Sequence, residues 1–231
     1  SAQSVSGSSG RISTSVINNA NDVTFTTNHN LLTSLTFTKG KISISDKLFI
    51  PGTASISGVS ATKYFTGNGY LKRTLLPSSS YTFPIGNSTG YLPATLTTAA
   101  GFVADTIWMR IESTKFSSSY NGSFAATGQP LTTHVVEPVW RIAESTSGGT
   151  SFSNLTLQWN GSNETYLFAR NTCGIVSNGG GAWSAVTSGA AGGSNPYTRS
   201  TTTATIPVGT LKTALFGIAD NSVVYSSNRI T

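Results

Sequence analysis

Groups able to do acid–base or nucleophilic chemistry are scarce in this sequence. Its 231 residues hold eight carboxylates, two histidines and one cysteine. Glycoside hydrolysis needs two carboxyl groups facing each other roughly 5–10 Å apart. Glu112 and Glu137 come nearest to such a pair, because both fall on expected strands, although each reads more simply as a surface residue. His29 and His134 stand alone, without the neighbours that make an imidazole a base or a ligand. Cys173 has no second cysteine and no adjacent histidine, the pattern of a small inert thiol. No Walker loop, dinucleotide fingerprint, EF-hand loop or zinc-spaced His/Cys cluster occurs. The expectation is a non-enzyme with no catalytic residues, no metal ligands and no cofactor.

The other chemistry belongs to the tryptophans. In Thr106–Glu112, Ile107, Met109 and Ile111 alternate with Trp108, Arg110 and Glu112, so Trp108 lies on the polar face of a strand. An indole flanked by a guanidinium can stack on a sugar ring or anchor a protein partner. Trp108 and Arg110 are therefore the candidate binding residues, against the plainer reading that Trp108 lies under a loop or against residues 1–76. Trp140 shares a face with Val136 and Ile142, and Trp159 shares one with Leu155 and Leu157. Both are expected to be core.

The elements that must hold these residues are strands. Charged residues make up 10% of the chain, far below the usual ~25%, so Ser, Thr, Asn and Gly carry its solubility. Thr favours strands, and Ser, Asn and Gly favour the turns between them. No stretch shows sustained helical periodicity, and no apolar run approaches the ~18 residues of a membrane span. The formal charge is +6, and residues 1–76 carry seven basic against two acidic side chains. Lys39, Lys41, Lys47, Lys63, Lys72 and Arg73 supply most of that excess. Acidic glycans would be drawn to it, although lysines on exposed strands also discourage edge pairing. No nucleic-acid-binding motif or interleaved aromatic platform accompanies the charge, so nucleic acid is not an expected partner.

Along the chain, residues 1–20 read as a flexible or extended N-terminal arm. Residues 21–76 read as a rung-like β unit, β-helical or meander, with Val23/Phe25, Leu35/Phe37 and Ile42/Ile44 as successive one-face pairs. Pro51–Gly52 is a turn signal, and Asn68–Gly69 predicts a type I′ hairpin. Residues 77–231 read as an antiparallel β-sandwich, with later strands expected at 165–170, 182–186, 201–207, 212–218 and 222–226. The Gly-rich stretch 178–193 reads as a surface loop anchored by Trp183. The fold class is all-β.

Several short motifs in a fixed order carry a resemblance. Tyr81-Thr82-Phe83-Pro84-Ile85-Gly86 is followed by Gly90-Tyr91-Leu92-Pro93-Ala94-Thr95-Leu96-Thr97. Then come Trp140-Arg141-Ile142, Leu155-Thr156-Leu157-Gln158-Trp159, Leu167-Phe168-Ala169-Arg170 with Trp183, and Phe216-Gly217-Ile218-Ala219-Asp220; Gly69–Thr74 precedes them all. Together these resemble the large Ser/Thr-rich secreted cell-surface proteins of Bacteroidota, many exported by the type IX system. No sorting domain of that system follows Asp220. The resemblance implies extracellular display and structural or adhesive roles, with no catalytic residues to carry over. A first residue of Ser rather than Met fits removal of a secretion signal.

The leading expectation is a non-catalytic extracellular structural or adhesive protein, able to assemble with itself into filaments or a surface layer by strand addition. The alternative is a carbohydrate-binding module of a secreted glycan-degrading system. The expected partners are a second copy of the chain or cell-surface glycans.

Overall fold

The computed structural model describes residues 1–7, 10–50, 52–112, 116–121, 123–146, 151–179, 183–201, 204–205 and 213–220. Among these residues the regular structure is strand, apart from one 3-10 turn at Gly161–Asn163.

The first nine strands are β1 (Gln3–Val5), β2 (Gly10–Asn18), β3 (Val23–Phe25), β4 (His29–Lys39), β5 (Ile42–Ile44), β6 (Lys47–Ile50), β7 (Ser55–Ser57), β8 (Phe65–Thr66) and β9 (Tyr70–Leu75). They fall into two sheets, alternately except that β6 and β7 both join the larger one, and every pairing among them is parallel. That is a solenoid: each coil lays one strand on each face and stacks on the coil before. The one-face pairs of the sequence become stacked ladders, Val23 on Ile42 and Phe25 on Ile44. All four are buried in the core. Residues 1–20 contribute β1 and β2, which form the first coil through their pairing with β3 and β4.

Asn68–Gly69 is not a hairpin. The strands on either side of it lie in different sheets, so the chain turns a solenoid corner there. Gly67 has φ +98°, and a Cβ on it would lie 2.5 Å from the Ile44 carbonyl oxygen. The corner is pinned by Gly69 N–H donating to that same carbonyl at 2.7 Å.

The later strands are β10 (Ser80–Phe83), β11 (Gly86–Asn87), β12 (Gly90–Tyr91), β13 (Ala94–Thr98), β14 (Asp105–Ile111), β15 (Val135–Glu144) and β16 (Ser151–Trp159). After them come β17 (Cys173–Asn178), β18 (Ser184–Ser188), β19 (Gly192–Gly193), β20 (Tyr197–Thr201), β21 (Ala204–Thr205) and β22 (Thr213–Asp220). β14 pairs antiparallel with β9, so one ten-stranded sheet runs β18-β17-β22-β15-β14-β9-β6-β4-β2, with β7 beside β4. A six-stranded sheet runs β10-β13-β16-β20-β19, with β21 beside β16. The boundary expected at residue 76 thus falls between two strands, while the large sheet continues across it.

One apolar cluster includes solenoid residues such as Leu31, Leu48 and Phe65 together with Leu96, Trp140, Leu157 and Trp159. Trp140 and Trp159 are fully buried. Trp140 donates its indole N–H to the Leu92 carbonyl at 2.9 Å. A second cluster lies on the opposite side of β15, where Phe116, Tyr120, Phe124 and Trp183 cover Val135, Val139 and Leu215. The six-stranded sheet turns hydroxyls outward instead: Thr82 meets Thr95 at 2.7 Å, and Thr156 meets Ser200 at 2.8 Å.

Three sequence expectations are corrected. Residues 165–170 are irregular, because Thr165 bonds Val135 through both backbone and hydroxyl and Leu167 turns into the left-handed region at φ +62°. The Gly-rich stretch is not wholly a loop: the strand expected at 182–186 is present as Ser184–Ser188, paired with β17, and Trp183 anchors it by stacking on Phe116 at 4.4 Å. Strand β17 was not expected; buried at every position, it has no alternation to read. The strand expected at 222–226 lies outside the described residues.

Candidate functional site

Side chains two apart on a strand share a face, and register decides which of them meet across strands. On β14, Ile107, Met109 and Ile111 point into the core and leave Trp108 and Arg110 on the outer face, half-buried. Antiparallel pairing sets Trp108 opposite Lys72 of β9. Parallel pairing sets Tyr70 of β9 opposite Lys47 of β6, and β15 sets Arg141 opposite Arg110. Cations and aromatics therefore alternate both along the strands and across them.

They touch. The Lys72 ammonium lies 3.9 Å and the Lys47 ammonium 5.5 Å from the Trp108 ring centre. Tyr70 meets Trp108 edge-on at 5.8 Å and carries the Arg110 guanidinium 4.6 Å from its own ring. Arg141 lies 4.9 Å from the Phe124 ring, at the margin of the second apolar cluster. Every one of these distances is within the ~6 Å reach of a cation–π contact or an aromatic pair. The Trp108 indole N–H donates to the Ser145 hydroxyl at 3.0 Å, which fixes the ring edge.

Arg110 and Arg141 face each other as like charges, an unfavourable cross-strand pair. Glu112 resolves it, with Arg110 at 3.0 Å and Arg141 at 3.2 Å from the same carboxylate oxygen. Arg110 also donates to the Asn68 carbonyl at 2.5 Å, tying the face to the solenoid corner. Burial pushes the Tyr70 hydroxyl pKa up, against the lowering pull of Arg110 and Arg141. Burial lowers the Lys72 pKa, and the neighbouring charge of Lys47 lowers it further. Beside Lys47 and Lys72 the surface opens into a groove of about 400 Å³, lined also by Asn28, Asn30, Thr106 and Ser145.

The structure thus brings Trp108 and Arg110 onto one face, as alternation predicts. It adds Tyr70, Lys47, Lys72 and Arg141, which the sequence scatters over nearly a hundred positions. Lys47 and Lys72 were visible as part of the basic excess but not as neighbours of Trp108.

The remaining reactive groups go elsewhere. Glu112 is buried in its arginine pairs, while Glu137 sits half-buried on β15. His134, isolated in sequence, places Nδ1 2.9 Å from an Asp220 oxygen that also accepts the Ala169 N–H at 3.0 Å. His29 is buried in the first coils, its Nδ1 2.7 Å from the Thr27 carbonyl. Cys173 is fully buried, and burial pushes its thiol pKa up, away from thiolate chemistry. Among the described residues no group of three His, Cys, Asp or Glu side chains is arranged to hold a metal ion. No described helix is long and apolar enough to cross a membrane.

Comparison with known protein families, curated proteins and solved structures yields no match.

Proposed function

We propose that this chain is a non-catalytic adhesive β protein of the cell exterior, which holds glycans on the cation–aromatic face of its large sheet. One observation carries the reading: Trp108, Tyr70, Lys47, Lys72 and Arg110 alternate in charge and ring across three neighbouring strands. Aromatic faces stack on sugar rings, and ammonium and guanidinium groups bind the acidic substituents of polysaccharides. An extended polymer lying across the strands would meet a new side chain every ~4.8 Å. Support for exterior display comes from the hydroxyl-rich surface and the resemblance to secreted Bacteroidota surface proteins. We read the two later sheets as a sandwich closed over Trp140 and Trp159, a rigid support for the face.

A glycan array tests this with the wild type and Trp108→Ala. Retention of at least one glycan class, weakened ~10-fold or more by the substitution, is the expected result. No retained glycan, or retention indifferent to Trp108, overturns it.

A second reading, self-assembly by strand addition, draws on β2, which ends the order of the ten-stranded sheet and leaves Val16 61% exposed. Two register shifts interrupt β2, at Ile12/Thr14 and Ile17/Asn18. Such bulges blunt sheet edges, which makes this the weaker reading. Monodisperse monomers at high concentration in electron microscopy would remove it.

A further inference from the structure

Building on the glycan-holding reading, we infer that the groove beside Trp108 is a subsite for an anionic sugar substituent, a carboxylate or a sulfate, bridged by Lys47 and Lys72. Its volume of about 400 Å³ lies in the ~300–1,000 Å³ range of small-ligand sites. None of the residues lining it is acidic; Asp46, outside the lining, lies 3.7 Å from the Lys47 ammonium in an exposed pair, which water and salt weaken. Two ammonium groups converge on one indole, at 3.9 and 5.5 Å from its centre. Burial lowers the Lys72 pKa, and the Lys47 charge beside the same ring lowers it further, a repulsion between like charges. An anion seated between the two lysines turns the repulsion into two charge-assisted contacts.

The polar remainder of the groove suits a sugar. Asn28 and Asn30 bring amides, Thr106 and Ser145 bring hydroxyls, and both kinds of group donate and accept. Ser145 accepts from the Trp108 indole at 3.0 Å, which leaves its own O–H to donate outward.

Selectivity follows from the position of Lys72. Its ammonium occupies the ring face that a pyranose would stack on. A neutral sugar must displace that cation and give it nothing in return. An acidic sugar draws the ammonium onto its own charge and takes the vacated indole.

A second basic groove, of about 540 Å³ and lined by Lys39, Lys41 and Lys63, has Asp22 among its lining residues and no tryptophan. It serves as the internal control for diffuse charge attraction.

The test is isothermal titration of the whole chain with polygalacturonate, dextran sulfate and neutral dextran, at about 0.15 M salt to suppress long-range attraction. Lys47→Met and Lys72→Met keep the aliphatic stems and remove the charges. Each is expected to weaken an acidic polymer ~10-fold or more, whereas Lys39→Met and Lys63→Met stay within about twofold. The preferred acidic polymer then distinguishes carboxylate from sulfate. Circular dichroism matching wild type confirms that each variant is folded. Equal losses in both lysine pairs overturn the subsite in favour of diffuse attraction. Neutral glycans retained through Trp108, with both groove variants indifferent, overturn the subsite and leave the adhesive reading standing. Absence of binding to any glycan overturns both.

Discussion

Lys72 and Trp108 are register partners on adjacent antiparallel strands, and the lysine ammonium lies 3.9 Å from the centre of the indole. The contact joins the last strand of the solenoid to β14, the strand through which the same ten-stranded sheet continues into the later part of the chain. Half-buried, with Lys47 alongside, Lys72 holds its proton less tightly than a solvated lysine does.

That lowered pKa gives anion binding a pH signature. Lys72 attracts an acidic polymer only while protonated, so affinity is full below its pKa and falls as pH rises through it. Because the pKa lies below the ordinary 10.5, the loss comes at a lower pH than solvated lysines would give. Lys72→Arg stays charged across the whole range and is expected to flatten the profile. Titrations with polygalacturonate or dextran sulfate from neutral to alkaline pH measure it; a profile unchanged in Lys72→Arg removes Lys72 from the anion site.

Glu112 ties stability and affinity together with opposite signs. Its carboxylate is only 7% exposed and neutralises Arg110 and Arg141, which are 21% and 17% exposed. Glu112→Gln leaves two partly buried guanidinium groups facing each other, and a loss of about 1–3 kcal/mol is expected by urea denaturation. The same change adds one net positive charge to the face, so acidic polymers should bind more tightly. A hydrolytic role for Glu112 would instead leave binding intact and abolish turnover in a hydrolase screen.

Tyr81 predicts alkaline behaviour remote from the site. Burial pushes its hydroxyl pKa up to about 12, against the opposing charge of Arg73, whose guanidinium lies 4.3 Å from the ring. The folded state therefore keeps this proton at pH values where the unfolded tyrosine, near 10, has lost it. A pKa raised by folding contributes stability in full below 10, and that contribution drains away as pH climbs from 10 towards 12. Arg73 acts mainly through its charge over the ring, since the hydroxyl makes no hydrogen bond of good geometry among the described residues, so Tyr81→Phe should cost less than about 1 kcal/mol at neutral pH. The variant should also lose the alkaline slope in denaturant titrations between pH 9 and 12; a slope unchanged in Tyr81→Phe assigns it to other groups.

What the sequence revealed and what it hid divide along the range of the interactions. Alternation is local, and it located Ile107, Met109 and Ile111 as inward, Trp108 and Arg110 as outward, and the one-face pairs of the solenoid coils. Register is not local. Tyr70 and Lys47 meet because β9 pairs in parallel with β6 and antiparallel with β14, a change of sense that no pattern within either segment announces. β17 escaped because a strand covered on both faces has no period. Residues 165–170 misled because the apolar run from Tyr166 to Ala169 reads as a strand, but Thr165 spends its hydrogen bonds on Val135 and Leu167 adopts a positive φ. His134 and Asp220, 86 positions apart, show the same limit.

The contrast between two tryptophans separates support from site. Trp140 is fully buried and donates to the Leu92 carbonyl at 2.9 Å, while Trp108 is half-buried and donates to Ser145 at 3.0 Å on the surface. Trp140→Phe keeps much of the ring volume but strands a buried carbonyl, so about 1–3 kcal/mol of stability should be lost. Trp108→Ala removes a surface ring and is expected to cost about 1 kcal/mol or less, yet to weaken glycan retention ~10-fold. Trp140→Phe, kept folded below its own transition, should retain glycans as the wild type does. Denaturant melts and glycan titrations on the same two proteins read both quantities. If Trp108→Ala lost stability and binding in proportion, the indole would be a structural member of the sheet, and the adhesive face would lose its centre.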